Sequence, residues 1–210
     1  MSETITIVAA DDHSMFLEGL QSLLNRSAEL QLLGTGLSGD QLIQLIEQYS
    51  PDIALVDLSM PGASMDDIFK YVSAHRPATQ LIALTMHLEA NMARSLLALG
   101  LSGYVLKESA FDELTLAIKR VAEGDQFLSP AIVEALNELN SEDGQAITLT
   151  DREREVLVNA SQGGSNKMIA RQLDISERTV RFHISNSCIK LNANGRANAV
   201  AVALKQGYID

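Results

Sequence analysis

What most constrains this chain is an alternation of two hydrophobic periods through its first half. Short apolar runs rich in Val, Ile and Leu recur at residues 5–9, 30–34, 53–56, 81–84 and 103–106. Runs this brief and this apolar suit strands buried on both faces. Between them lie stretches with helical spacing. The first carries Met15, Phe16, Leu20, Leu23 and Leu24, and the others fall near residues 41–48, 65–75, 91–99 and 111–121. Five repeats of strand then helix predict an α/β fold: a five-stranded, parallel, doubly wound sheet with helices on both faces. In such a sheet the working site lies beyond the carboxyl ends of the strands.

Polar residues stand at those ends. Asp11 and Asp12 follow the first run, Asp57 the third, Thr85 the fourth and Lys107 the fifth. A lone Asp there is ordinarily a turn or cap residue, and a lone Thr or Lys means less still. Five such groups ending four strands converge on one crevice. Three carboxylates so close repel one another unless a divalent cation binds or one is protonated. Hard oxygen ligands with open water positions suit Mg²⁺. A carboxylate nucleophile, a cation site, a hydroxyl and an ammonium can together accept and hold a phosphoryl group.

The last third reads as helices only. Thr150 and Glu153 have the spacing of a capping box, which predicts a helix to about residue 161, ended by Gly163 and Gly164. A short helix follows over 167–173, a third from Ser176 to about 191, and a fourth over 195–205. Residues 129–139 predict a helix leading into a polar linker near 140–146. The helices at 167–173 and 176–191 have the spacing of a helix–turn–helix. Val180, Ile184 and Leu191 form one stripe that should face the core. Arg178, Arg181, Phe182 and Ser185 lie on the other side, a face that can enter a DNA major groove. Asn166, Lys167, Thr179 and Lys190 are candidates for phosphate contact. Any one of these cations is as well explained as a solvated surface group, so the pattern carries the reading.

The net charge of −11 speaks against nucleic acid only when averaged over the chain. Residues 1–140 hold 7 Lys and Arg against 19 Asp and Glu, whereas residues 150–210 hold 9 against 6. The split predicts two domains with different partners.

The strand-end motifs resemble a known family. They are Val8-Ala9-Ala10-Asp11-Asp12-His13, Leu55-Val56-Asp57-Leu58-Ser59-Met60-Pro61-Gly62, Ala83-Leu84-Thr85-Met86-His87 and Gly103-Tyr104-Val105-Leu106-Lys107. In order and spacing they resemble the receiver domain of two-component response regulators, a flavodoxin-like fold. The resemblance implies that Asp57 accepts phosphate from a sensor histidine kinase. It implies that Asp11, Asp12, Asp57 and the backbone carbonyl of Ser59 hold Mg²⁺. It further implies that Thr85 and Lys107 sense the phosphate and that Tyr104 is the switch aromatic. Met65 stands where the family usually has Gly, which disfavours positive φ and predicts a differently shaped loop. His13 and His87 flank the crevice and read as surface or kinase-contact residues, since Mg²⁺ prefers oxygen.

The helical end resembles the LuxR-type helix–turn–helix, through Leu149-Thr150-Asp151-Arg152-Glu153, Ser165-Asn166-Lys167-Met168-Ile169-Ala170 and Ile175-Ser176-Glu177-Arg178-Thr179-Val180-Arg181-Phe182-His183-Ile184. Together the two halves make the chain similar to a NarL/FixJ-subfamily response regulator. The expected limits are a receiver over 1–123, a linker over 124–147 and a DNA-binding domain over 148–210. The resemblance implies a transcription factor, not an enzyme, that dimerises on activation and binds double-stranded DNA. Ser185 stands where relatives often carry a basic or amide group, leaving base reading mainly to Arg181. Ser187 stands where the family usually has Ile, facing the core, and needs a hydrogen bond, back to the carbonyl of Ile184 or His183.

The single Cys188 excludes an internal disulfide and fits a reducing cytoplasm. No apolar run approaches the roughly 20 residues a bilayer requires. Two other classes compete. A haloacid-dehalogenase-like phosphatase would need an acid two residues after its nucleophile, where this chain has Ser59. A regulator that binds a small autoinducer would not need the acidic cluster with Thr85 and Lys107.

Overall fold

Strand and helix alternate as the periodicity predicts in the computed structural model, which describes residues 4–108, 111–142 and 149–209, with the side chains at 111, 140–142 and 178 outside that description. The strands are β1 (Ile5–Ala10), β2 (Leu30–Gly36), β3 (Ile53–Asp57), β4 (Gln80–Thr85) and β5 (Gly103–Leu106). Their helices are α1 (Ser14–Leu24), α2 (Gly39–Tyr49), α3 (Met65–His75), α4 (Ala90–Ala98) and α5 (Phe111–Ala122). A sixth strand, β6 (Phe127–Leu128), adds to the expected five, and the sheet order is β2-β1-β3-β4-β5-β6. β6 pairs parallel to β5 through Gly103 with Phe127 and Tyr104 with Leu128. Two residues are too few to show a period, so nothing in the sequence announces this strand.

By backbone contacts the chain divides into two compact units, residues 1–86 with 105–123, and residues 87–104 with 124–210. In the first, β3 is buried along its whole length, which explains its unbroken apolar run. Register brings the strand ends together: Ala10 lies beside Val56 on β3 and beside Gly36 on β2. Asp11 and Asp57 therefore leave adjacent strands at the same edge. The turn after β3 is closed by Gly62, whose φ of +90° favours glycine and whose Cβ would approach Asp40 Oδ2 to 2.5 Å. Met65 needs no positive φ. It takes the first helical position of α3, behind a capping box in which Ser64 and Asp67 satisfy each other's backbone N–H groups.

The second unit contains α6 (Pro130–Glu142), α7 (Asp151–Ser161), α8 (Asn166–Leu173), α9 (Glu177–Lys190) and α10 (Arg196–Lys205). Of the linker expected over 124–147, residues 127–128 and 130–142 form β6 and α6, and residues 143–147 lie outside the described residues. The Thr150–Glu153 capping box is present at the start of α7. Ser176 caps α9 by accepting a hydrogen bond from the Thr179 N–H. Val180, Ile184 and Leu191 join Val156, Leu157, Ile169 and Ala199 in one apolar core, as their stripe predicts. Among the described residues no helix is long and apolar enough to cross a membrane.

Candidate functional sites

The carboxylates at the strand ends do meet. Asp11, Asp12, His13 and Asp57 each offer one donor atom, and these atoms lie within 4.8 Å of one another. Asp11 and Asp57 are buried, while Asp12 is exposed at the rim. Burying two carboxylates is costly unless a cation meets them. Lys107 is that cation: its Nζ lies 2.6 Å from Asp11 Oδ2 and 3.0 Å from Asp57 Oδ1, with only 3% of its side chain exposed. Its ammonium also stands 5.0 Å from the centre of the Phe16 ring. The backbone holds Lys107 in place, because its N–H donates to the Thr85 carbonyl at 2.8 Å. Thr85 itself is buried at the end of β4, and Ser59 lies exposed in the turn after β3. Tyr104 is fully buried in β5 of the second unit.

Charge decides what this crevice can accept. Three carboxylates against one ammonium leave an excess of negative charge. Asp57 Oδ2 is buried and, among the described residues, has no hydrogen-bond partner. A carboxylate oxygen of this kind is a ligand for a cation or a nucleophile awaiting an electrophile. The donor set, all oxygen apart from His13, fits a divalent metal ion. His13 is exposed, as expected of a surface residue, and its Nδ1 lies 2.7 Å from Asp12 Oδ1 and 3.2 Å from Asp11 Oδ1. The signal was its position directly after the two acids, where the entry to α1 turns the side chain back on them.

The helix–turn–helix residues divide into exposed and engaged groups. Lys167 is exposed at the start of α8. Thr179 is half-buried and shares a 2.7 Å hydrogen bond with Ser176. Phe182 is half-buried, edge-on to the His183 ring. The Arg178 side chain lies outside the described residues. Three residues expected to face DNA are engaged elsewhere. Asn166 donates from Nδ2 to the Gly124 carbonyl at 2.6 Å and accepts from Arg196. Lys190 binds Glu153 Oε2 at 2.8 Å, because that capping carboxylate is buried and needs a cation. Ser185, expected on the exposed face, is fully buried.

The burial of Ser185 has a specific cause. At about 100° per residue, Ser185 and Ile189 stand well away from the Val180 stripe, yet both are buried, and Ile189 lies outside the helical core. Outside that core, α9 packs against α6 and α4, all within the second unit. The face carrying Arg181, Ser185 and Ile189 is thus covered. Ser187, on the core side, donates to the His183 carbonyl at 2.8 Å, which satisfies its buried hydroxyl as expected.

A parallel α/β sheet with an acidic, lysine-bridged crevice, followed by a helix–turn–helix, defines a regulator that pairs a signal-receiving domain with a nucleic-acid-binding one. Residues 7–119 match the response regulator receiver domain, and residues 147–203 match the bacterial regulatory proteins of the luxR family. The chain belongs to the two-component response regulators that carry a LuxR-type DNA-binding domain and regulate transcription, a family of transcription factors rather than enzymes. It is 34% identical to the transcriptional regulatory protein DegU of Brevibacillus brevis, over 98% of this chain and 95% of that one. It is 35% identical to the nitrate/nitrite response regulator protein homolog of Haemophilus influenzae, over 98% of this chain and 99% of that one. Among solved structures it resembles RcsB from Salmonella enterica serovar Typhimurium bound to a promoter in the presence of a phosphomimetic. That likeness has a TM-score of 0.61 at 25% identity and covers 95% of this chain and 98% of that one.

Proposed function

We propose that a sensor histidine kinase phosphorylates Asp57 and that this controls dimerisation and sequence-specific binding to double-stranded DNA. The observation that carries the reading is the buried Asp57 carboxylate, with one oxygen on Lys107 and the other unpartnered, beside Asp11 and Asp12. A carboxylate oxygen attacks phosphorus, the bond to the donor's leaving nitrogen breaks, and Asp57 carries an acyl phosphate. Asp11, Asp12, Asp57 and the Ser59 backbone carbonyl would hold Mg²⁺, which when bound would offset charge on the phosphoryl oxygens. Lys107 turns from the carboxylates to a phosphoryl oxygen, and the Thr85 hydroxyl turns to another. Tyr104 then repacks as the switch aromatic.

In this reading the receiver spans 1–123, the linker 124–147 and the DNA-binding domain 148–210, and the protein acts in the cytoplasm. Arg181 reads base edges, with Arg178 and Phe182 beside it. Lys167 and Thr179 meet phosphates, Asn166 and Lys190 reach the duplex only after leaving their present partners, and Ser185 only after its side of α9 is uncovered. The covered face of α9 supports a resting state in which the recognition helix is closed off until phosphorylation frees it.

The test is incubation of the wild type and Asp57→Ala with Mg²⁺ and a small phosphodonor, followed by mass and oligomeric state. One phosphoryl group and a dimer are expected for the wild type alone. An unchanged wild-type mass removes the phosphoacceptor role.

A further inference from the structure

We propose that Asn166 is a latch: the Gly124 carbonyl holds its side-chain amide when the protein is at rest, and competes with a DNA phosphate for the same N–H. The inference rests on the reading that Asn166 meets the duplex backbone. It names what restrains this residue and how the restraint is released.

Two partners fix the amide. Asn166 Nδ2 donates to the Gly124 carbonyl at 2.6 Å, and Arg196 Nη1 donates to Asn166 Oδ1 at 3.4 Å. A guanidinium can only donate and a backbone carbonyl can only accept, so both demand one orientation of the amide. Arg196 is itself anchored, because its Nη2 donates to the carbonyls of Ala160 and Gly164. Gly124 has a φ of +86°, a turn that favours glycine, and its carbonyl meets the first residue of α8. That oxygen stands where a phosphoryl oxygen accepting from the same N–H would stand. The carbonyl and the duplex therefore exclude one another at this amide.

The segment that carries the carbonyl is fastened to β5. Gln126, 4% exposed, donates from Nε2 to the Leu101 carbonyl at 2.8 Å. The Phe127 N–H donates to the Ser102 carbonyl at 3.1 Å, and the Ser129 N–H to the Tyr104 carbonyl at 2.9 Å. Gly124 thus stands just ahead of β6, which pairs with the strand that carries Tyr104. A repacking of Tyr104 that shifts β5 takes β6 with it and draws the Gly124 carbonyl away from Asn166.

The size of the effect follows from one bond. A neutral hydrogen bond moves a two-state equilibrium about fivefold. A closed state lowers apparent DNA affinity in proportion to the fraction of molecules that are open. Removing the Asn166 amide then has two opposed effects. It deletes a phosphate contact in every state, and it raises the open fraction only where the protein was closed.

The experiment measures binding of the full-length wild type, Asn166→Ala and Gln126→Ala to a short duplex of mixed sequence at low salt. Fluorescence anisotropy gives the affinity before and after treatment with Mg²⁺ and a small phosphodonor, and circular dichroism checks that each variant is folded. Asn166→Ala should lose affinity when phosphorylated and lose less when not, so that the ratio of the two affinities falls about fivefold. Gln126→Ala removes no phosphate contact and should lower the ratio by raising the unphosphorylated affinity alone. Equal losses in both states of Asn166→Ala would make the residue a plain phosphate contact and overturn the latch. An unchanged ratio in Gln126→Ala would overturn the connection to β5. Nuclear magnetic resonance of the isotope-labelled protein supplies a readout independent of phosphorylation. The side-chain amide signal that Asn166→Ala deletes should move when the duplex is added, and a signal that stays in place overturns the competition. Failure of the underlying readings looks different. Full phosphorylated affinity in Asn166→Ala refutes the phosphate contact and the competition with it. A wild type whose affinity ignores the phosphodonor refutes phosphorylation control, and the amide signal then decides the latch by itself.

Discussion

Replacing Lys107 by Met tests the electrostatic account of the crevice directly. The substitution keeps the side chain's length and removes its charge. The ammonium it deletes sits 2.6 Å from Asp11 and 3.0 Å from Asp57, with all three side chains at most 3% exposed. At an effective dielectric constant near 20, each contact represents about 6 kcal/mol of Coulomb attraction. Most of that is offset by the cost of taking the charges out of water. The net effect of removing one partner is larger than the pair's own worth, because two carboxylates remain buried and mutually repelling. A loss of about 3–5 kcal/mol is expected. A dication should then compensate. The variant lacks the competing ammonium and should bind Mg²⁺ more tightly than the wild type does. Binding at a hundredfold excess over Kd returns about 2.7 kcal/mol. The assay is urea unfolding followed by circular dichroism, for both proteins, with and without Mg²⁺. A loss under about 1 kcal/mol, or a gap that Mg²⁺ leaves unchanged, refutes the reasoning.

Three further outcomes are expected in the helical domain. Burial pushes the His183 imidazole below its ordinary value of 6.5, so as pH falls the unfolded chain takes up this proton first. Stability present above pH 6.5 is therefore lost as pH drops toward the folded value; His183→Gln should flatten that part of the stability profile, and an unaltered slope would count against the burial argument. Burial also pushes the Cys188 thiol up to about 12, so a thiol reagent at neutral pH should label it only as the domain opens; rapid labelling of the native protein would contradict this. Ser176→Ala should cost about 1 kcal/mol and Ser176→Gly only a few tenths, because Ser176 Oγ accepts the Thr179 N–H at 3.0 Å; equal thermal stability of the Ala variant and wild type would show the cap to be idle.

The features legible in the sequence are those set by local periodicity and by short-range hydrogen bonding. Buried parallel strands must be apolar on both faces, so their runs stand out, and every strand expected is found, four of them one or two residues longer and the fifth with the same bounds. Caps at Ser64, Thr150 and Ser176 are decided within one helical turn, and a Ser or Thr followed three residues later by an acid states them in the sequence for the first two. The meeting of Asp11, Asp57 and Lys107 was legible too, because parallel strands deliver their carboxyl ends to one edge whatever loops join them.

Tertiary structure decided what depends on a distant partner. Ser185 and Lys190 have the composition and helical position of a solvated face. The first is buried because other helices cover that side of α9, and the second is held by a capping Glu 37 residues earlier. Asn166 has an amide suited to a phosphate, yet it is spent on the carbonyl of Gly124. β6 exists only because β5 offers an edge to pair with. His13 became part of the acidic cluster through the turn that enters α1. The sequence by itself determined the alternation, the caps and the strand-end chemistry, since each follows from neighbours along the chain or from sheet geometry common to all such folds. Which polar face meets solvent and which meets protein was decided only in three dimensions, because that outcome depends on what packs against the face.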